Sequence, residues 1–344
     1  MILKLVEATN KKIDSFFNLK SKGSKNPRIL ELYKAINDLI MRGGKRSRPE
    51  LFFLTLSAYG VSDSEKYIDL AVALEIYHQF LLVHDDIIDQ DFIRYDGPNI
   101  SGYYAKEFSN LDKTISDSLA LLAGDVMFSF VYEIISNDKN INSEIKIEII
   151  KLFSEINEGV VSGQLLDSLN IKTLSPTLEI KDLIEIHTLK TSLYSILLPM
   201  KLAAIIAKLD ENEIQNIEKF SQSFGVYYQL VDDYSDYFVN KSAFDIREKY
   251  RDFKQGKVSS PYIFVINRCS KDDHEYIDSI FGKKDISNVD MRSIIRIFEK
   301  YEADKSSAEI INNYFNQSLA LLDELNIDDE SRSKIKKMIT KYKI

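Results

Sequence analysis

Apolar residues recur at helical spacing along most of the chain, as in Leu32, Ala35, Ile36, Leu39 and Ile40, and again in Ile145, Ile149, Leu152, Phe153 and Ile156. Positions three and four apart share one face of an α-helix, so each set predicts an amphipathic helix with one buried stripe. Residues 71–83 (AVALEIYHQFLLV) depart from that pattern, since only Glu75, His78 and Gln79 are polar. A helix that is apolar nearly all round belongs in the middle of a bundle. Residues 194–209 form a second such stretch, in which Pro199 lacks a backbone N–H and should introduce a kink. Between helices the pattern leaves loops at 21–27, 41–49, 90–101, 137–143, 169–176, 240–258 and 270–290. None is a long Gly/Ser or Pro-rich linker, which predicts a single all-α domain over residues 1–344.

Composition supports long helices, because 12 Gly and 6 Pro in 344 residues leave few breakers. With 44% hydrophobic and 28% charged residues the chain has the make-up of a soluble globular protein. No uncharged apolar run approaches the roughly 18 residues that span a bilayer. The N-terminus carries charges through its apolar stretch, unlike a signal peptide, so no stable membrane insertion is expected. A single cysteine, Cys269, excludes an internal disulfide and fits a cytoplasmic location. A net charge of −8 argues against nucleic acid as a partner, since backbone phosphates demand a basic field. Any phosphate handled here must be met locally, by clustered cations or by metals that bridge acid to acid.

Two segments supply the acids. Asp85-Asp86-Ile87-Ile88-Asp89 and Asp232-Asp233-Tyr234-Ser235-Asp236 share a D-D-x-x-D pattern, and apolar residues precede each. Residues four apart lie about one turn apart on one helix face, so Asp85 projects with Asp89 and Asp232 with Asp236. Like charges beside buried helices are costly without a cation, and hard carboxylate oxygens suit Mg²⁺, which binds through a few carboxylates plus substrate phosphates. A lone D-D-x-x-D is more often a solvated helix end; two copies in apolar helices favour metal binding.

The cations are grouped in Arg42-Gly43-Gly44-Lys45-Arg46-Ser47-Arg48. Glycines let backbone N–H groups approach an anion, and Lys45 and the arginines add charge-assisted bonds, which points to a diphosphate. His78 lies seven residues before Asp85, two turns away on the same face.

In this order the motifs resemble the trans-isoprenyl diphosphate synthase family, over residues 43–261. Gly43-Gly44-Lys45 with Arg48-Pro49 resembles its isopentenyl-diphosphate loop, to which His78 belongs. His84-Asp85-Asp86-Ile87-Ile88-Asp89 with Arg94 resembles the first aspartate motif and the arginine of the allylic diphosphate. Leu122-Ala123-Gly124-Asp125 resembles a structural motif that follows. Gly163-Gln164-Leu165-Leu166-Asp167 resembles a motif whose aspartate helps to bind metal. Lys190-Thr191 with Tyr194 resembles the pair that holds the leaving diphosphate and steadies the carbocation. Gln229 with Asp232-Asp233-Tyr234-Ser235-Asp236 resembles the second aspartate motif, and Asp252 with Gly256-Lys257 resembles a later phosphate-reaching pair. Two departures stand out: Tyr95 where the family has a second arginine, and Glu248 where it has Gly-Lys, with Arg247, Lys249 or Arg251 as substitutes.

The resemblance implies an isoprenoid-synthase helical bundle around a deep central cavity. It also implies a Mg²⁺-dependent prenyltransferase that joins isopentenyl diphosphate to a C5–C15 allylic diphosphate, and a homodimer. Phe80, with Leu81 beside it, occupies the place of the bulky floor in short-chain members and implies a C15–C20 product. A terpene cyclase of the same fold would not need residues 43–48, and a silent subunit of a heteromeric synthase need not keep both aspartate motifs.

Overall fold

Helices account for nearly every regular element in the computed structural model, which describes residues 2–108, 112–169, 179–238, 250–283 and 285–343. The chain divides into two compact units, Met1–Phe153 with Pro199–Leu209 and Ser154–Leu198 with Asp210–Ile344.

In the first unit, α1 (Ile2–Gly23) and α3 (Ser47–Ala58) pack on α4 (Ile68–Ile88), which pairs most extensively with α6 (Lys113–Asn137), while α2 (Pro27–Arg42) packs on α1. Asn26 opens α2 by accepting the N–H of Arg28, and Pro27 stands at its first position, where the missing donor costs nothing. Every residue of α4 from Leu70 to Phe80 is buried, as the all-round apolar pattern requires. Phe80 stacks on Phe128 of α6 at 4.9 Å, and Tyr77 meets Phe153 edge-on at 5.4 Å. Residues 90–101, expected as loop, contain a hairpin in which β1 (Ile93–Arg94) pairs antiparallel with β2 (Gly97–Pro98), followed by α5 (Ile100–Glu107).

In the second unit, α10 (Glu211–Phe238) packs against α15 (Ala303–Glu324) and against the Ile180–Leu197 part of a helix that runs from Ile180 to Ala207. That helix begins as α8 (Ile180–His187), widens to a π register over Thr188–Leu197, and returns to α register as α9 (Leu198–Ala207). Pro199, where a kink is expected, stands two residues after the end of the π stretch, at the second position of α9. Smaller helices α11 (Arg251–Gln255), α12 (Ser260–Ile266), α13 (Lys271–Ile280) and α14 (Asn288–Lys300) enclose an aromatic core of Tyr237, Tyr250, Phe253, Tyr262 and Phe298. The 270–290 segment, expected as loop, holds α13. Its stripe is short, with Ile277 and Ile280 buried, but Ser270 caps it by accepting the N–H of Asp273.

Lys113–Asn137 and Ile180–Ala207 are long and apolar enough to cross a membrane by length and composition, although both carry charged residues such as Asp125 and Lys190. About half of each apolar window, 44% and 56%, is buried within the protein, as for core helices.

Candidate active site

The basic loop is built by unequal use of its four cations. Arg46 adopts a left-handed backbone conformation (φ 53°) and turns inward. Its guanidinium pairs with Glu75 at 3.0 Å, donates to Asn10 at 2.7 Å and also reaches the carbonyls of Gly43 and Ile40. Glu75 also accepts from Gln79 at 3.1 Å. At 6% and 1% side-chain exposure this is a buried ion pair, whose desolvation cost is met only by such a full set of hydrogen bonds. Arg42 is spent on the hairpin, donating to the carbonyls of Arg94 at 3.2 Å and Pro98 at 2.9 Å while pairing with Asp38. Lys45 is exposed and Arg48 half-buried. Between the two bolts Gly44 sits at φ +96°, a conformation that side chains rarely adopt.

His78 of α4 is buried, and burial pushes its imidazole well below the ordinary value, helped by the charges of Arg48, Arg94 and Arg46. It is a neutral ring within reach of cationic fields. The turn of the hairpin consists of Tyr95 and Asp96 at φ 53° and 57°. Two consecutive positive φ values define a turn normally made by Asn-Gly. Tyr95 lays its ring on Gly43, where a Cβ would stand 2.2 Å from the ring, and its hydroxyl lies 3.5 Å from the corresponding point at Gly44. The residue read from sequence as a missing guanidinium thus packs against the basic loop. Its only sequence signal is its place after Arg94.

The first aspartate motif splits by helix geometry. Asp85 and Asp89 are half-buried, whereas Asp86, turned about 100° from its neighbours, is buried and receives Nε of Arg94 at 2.9 Å as well as Nη2. Burial raises the Asp86 carboxyl, and Arg94 opposes that rise. Arg94, expected on the allylic diphosphate, is therefore oriented by the middle aspartate.

The second unit repeats this division. Asp232 is exposed, while Asp233 is buried, 3.3 Å from Nε2 of His187, and accepts the N–H of Ser260 at 2.9 Å. The oxygens of Asp236 accept the N–H groups of Arg251 and Asp252, both at 3.1 Å. Asp252 is pushed up to about 8 by burial and then by the charges of Asp236 and Asp233, with Lys257 opposing. Arg251 is exposed, and Arg247, Glu248 and Lys249 lie outside the described residues. On the π stretch, Lys190 bonds Asp167 at 2.6 Å and Thr191 donates to Gln229 at 2.9 Å, with Tyr194 half-buried nearby. Burial would raise the Asp167 carboxyl, but Lys190, Lys257 and His187 hold it below the usual range. Glycines make room for the wider helix: a Cβ on Gly163 would lie 2.4 Å from the Lys190 nitrogen, and one on Gly225 2.5 Å from the Ser192 Cα. His187 escaped sequence reasoning, its place three residues before Lys190 being the one available hint, and Asp233 was read only as a member of its motif, not as the partner of His187.

The profile of the polyprenyl synthetase family matches residues 30–298, which include every candidate residue above. The chain belongs to this family. It is 25% identical over 322 residues to a geranylgeranyl diphosphate synthase of Sulfolobus acidocaldarius, covering 92% of this chain and 91% of that protein. It is 29% identical over 298 residues to a short chain isoprenyl diphosphate synthase of Methanothermobacter thermautotrophicus, covering 87% and 86%. The fold is that of geranylgeranyl pyrophosphate synthase from Corynebacterium glutamicum, solved with isoprenyl diphosphate and magnesium, at a TM-score of 0.86 and 21% identity over 99% of this chain and 98% of that one.

Do the residues present suit a divalent ion? Among the described residues no three Asp, Glu, His or Cys side chains gather tightly enough to chelate one unaided. Magnesium does not require that, since it keeps waters and shares substrate phosphates. The more telling fact is where the acids stand. Asp85 and Asp86 occupy the last turn of α4, Asp167 the last turn of α7 (Ser143–Leu169), and Asp236 the last turn of α10, and none of these turns holds a base. The negative end of each helix dipole disfavours carboxylates. Burial and then the charges of Asp236 and Asp233 also raise Asp252, and in each unit such hard carboxylate oxygens are donors of the kind that suit a hard cation.

Proposed function

We propose that this chain is a trans-prenyltransferase that condenses isopentenyl diphosphate with a C5–C15 allylic diphosphate to a C15–C20 product, and that residues 1–344 act as one polyprenyl-synthetase domain. The observation that carries the proposal is the placement of acids at three helix C-termini in a chain that also builds a glycine-rich cationic loop.

Gly44, Lys45, Arg48 and neutral His78 receive isopentenyl diphosphate, with the loop held in shape by Arg42 and Arg46. Asp85, Asp89, Asp232, Asp236 and Asp167 hold magnesium, and Arg94, Lys190 and Lys257 complete the shell of the allylic diphosphate. Bound magnesium neutralises the diphosphate and stabilises the charge it gains as a leaving group. Lys190 supplies a positive charge fixed by Asp167, present before reaction and therefore free of reorganisation cost. Thr191, tied to Gln229, and Tyr194 lie beside the reacting carbons, where their dipoles face developing positive charge. Fixing both substrates supplies the entropic part of the rate. The new C–C bond forms between the isopentenyl double bond and allylic C1, and the released diphosphate takes the proton lost in restoring the alkene.

The protein assembles as a homodimer in this proposal. The outer face of α6, where Leu121 and Leu122 are exposed, is the surface offered to a second copy. Light scattering reads that mass directly.

Incubation with Mg²⁺, isopentenyl diphosphate and C5, C10 or C15 primers, followed by chromatography, tests the reaction. Longer diphosphates support it, hydrocarbons without chain growth indicate a cyclase, and no consumption indicates a silent subunit. Asp85→Ala and Asp232→Ala should each lower turnover by orders of magnitude.

A further inference from the structure

Leu122-Ala123-Gly124-Asp125 of α6 has no task in the reaction described, yet it touches the residue immediately before Asp85. His84 lays its imidazole across the backbone of Gly124, so that a Cβ there would stand 2.2 Å from Nε2 and 2.5 Å from Cδ2. Nε2 lies 3.2 Å from the carbonyl oxygen of Leu121 and 3.9 Å from Oδ1 of Asp125. The same ring meets Phe80, one turn earlier on α4, edge-on at 4.8 Å and 71°. The imidazole is a wedge with an apolar footing on its own helix and a polar edge set into a notch of the neighbouring one.

A glycine in a helix interior is a poor helix former, and here it removes the Cβ that would expel the ring. The last turn of α4 needs such an anchor. It carries Asp85 and Asp86, with Asp89 as its C-cap, at the negative end of the helix dipole, and the carboxylates repel one another. An end so charged tends to fray unless packing fixes it.

We propose that His84 and Gly124 form a lock that sets the position of the final turn of α4 and hence of Asp85. His84 is then a positioning residue, acting through Asp85, and this inference rests on the metal-binding role given to Asp85 above.

The test uses His84→Ala, Gly124→Ala and the double variant of the full chain, with Mg²⁺ and inorganic diphosphate as probes. Without ligand, Gly124→Ala should lower Tm while His84 is present, because the ring must leave the notch. In the His84→Ala background the same change should raise Tm, because alanine is the better helix former and the space is open. The Tm increase produced by Mg²⁺ with diphosphate should fall by at least half in either single variant and no further in the double, the signature of two residues in one device. The Mg²⁺ concentration for half-maximal turnover should rise about tenfold, one factor of 10 in an equilibrium constant, with KM for isopentenyl diphosphate unchanged. A wild-type ligand response retained in His84→Ala, or strictly additive losses, overturns the lock. A wild-type chain with no response to Mg²⁺ and diphosphate instead overturns the metal-binding role on which the lock depends.

Discussion

Replacing Gly225 by alanine should disable the reaction while leaving the helices formed. A Cβ at this position would lie 2.2 Å from Oγ, 2.4 Å from Cβ and 2.5 Å from Cα of Ser192. Side-chain rotation relieves the first of these contacts but not the last, since Cα belongs to the π stretch itself. Ordinary contact begins at 3.4 Å, so the backbones must separate by the difference from 2.5 Å, about 0.9 Å. Ser192 directly follows Lys190 and Thr191, whose bonds to Asp167 at 2.6 Å and Gln229 at 2.9 Å tolerate no such shift. Misplacing reacting groups by about 1 Å costs on the order of a hundredfold in rate, so kcat should fall by about that factor. Overpacking of this kind costs about 1–3 kcal/mol, and the better helix propensity of alanine returns up to about 1 kcal/mol. The expected drop in Tm is therefore only a few degrees. Steady-state turnover and a thermal melt on the same preparation give both numbers. Gly23→Ala, where nothing stands within 4 Å of the new Cβ, serves as the control that keeps turnover. Turnover of Gly225→Ala within threefold of wild type would show that this contact does not hold Lys190 and Thr191 in register.

Arg46→Met strands Glu75 at 1% exposure and should cost about 3–5 kcal/mol in urea unfolding, most of it recovered when Glu75→Leu is added; an unchanged midpoint would deny the pair its structural role. His78→Gln should flatten the acid limb of stability. The folded imidazole is held below the unfolded value of 6.5, so as pH falls through 6.5 the unfolded chain alone takes up a proton, and stability drops by up to about 1.4 kcal/mol per pH unit. Equal slopes for wild type and variant in unfolding experiments between pH 7 and 5 would contradict this. Phe80→Ala removes a ring stacked on Phe128 at 4.9 Å, should cost about 3–5 kcal/mol, and should shift the product chromatogram to longer chains; an unmoved distribution would remove Phe80 from chain-length control.

The hydrophobic pattern was a sufficient guide to α4, because a helix buried on every side leaves a mark in composition that no other element shares. It was no guide to the π register of Thr188–Leu197. The room for that register is left by Gly163 and Gly225, distant in sequence, and a ten-residue stretch carries too few apolar positions to distinguish its period from 3.6. The hairpin was hidden for a related reason. Its turn uses Tyr95-Asp96 in a conformation that Asn-Gly adopts at little cost, so local turn chemistry pointed elsewhere. Helix α13 was missed because its short stripe is outnumbered by charge.

At the site, spacing alone grouped Asp85 with Asp89, and the buried middle residues Asp86 and Asp233 then followed a rule that the motif itself contains. Each stands about 100° round the helix from its neighbour, so one aspartate of the adjacent pair must turn toward the protein and find a partner there. Arg94 and His187 are those partners, and neither is identified by its own neighbours in sequence. A more general signal was present. Helices ordinarily place acids in the first turn and bases in the last, yet the last turns of α4, α7 and α10 carry aspartates and no base of their own. One such ending is a local irregularity that packing can absorb. Arg94 and Lys190 offset part of that charge at Asp86 and Asp167, and the proposed divalent ion, shared with phosphate oxygens, would offset the rest.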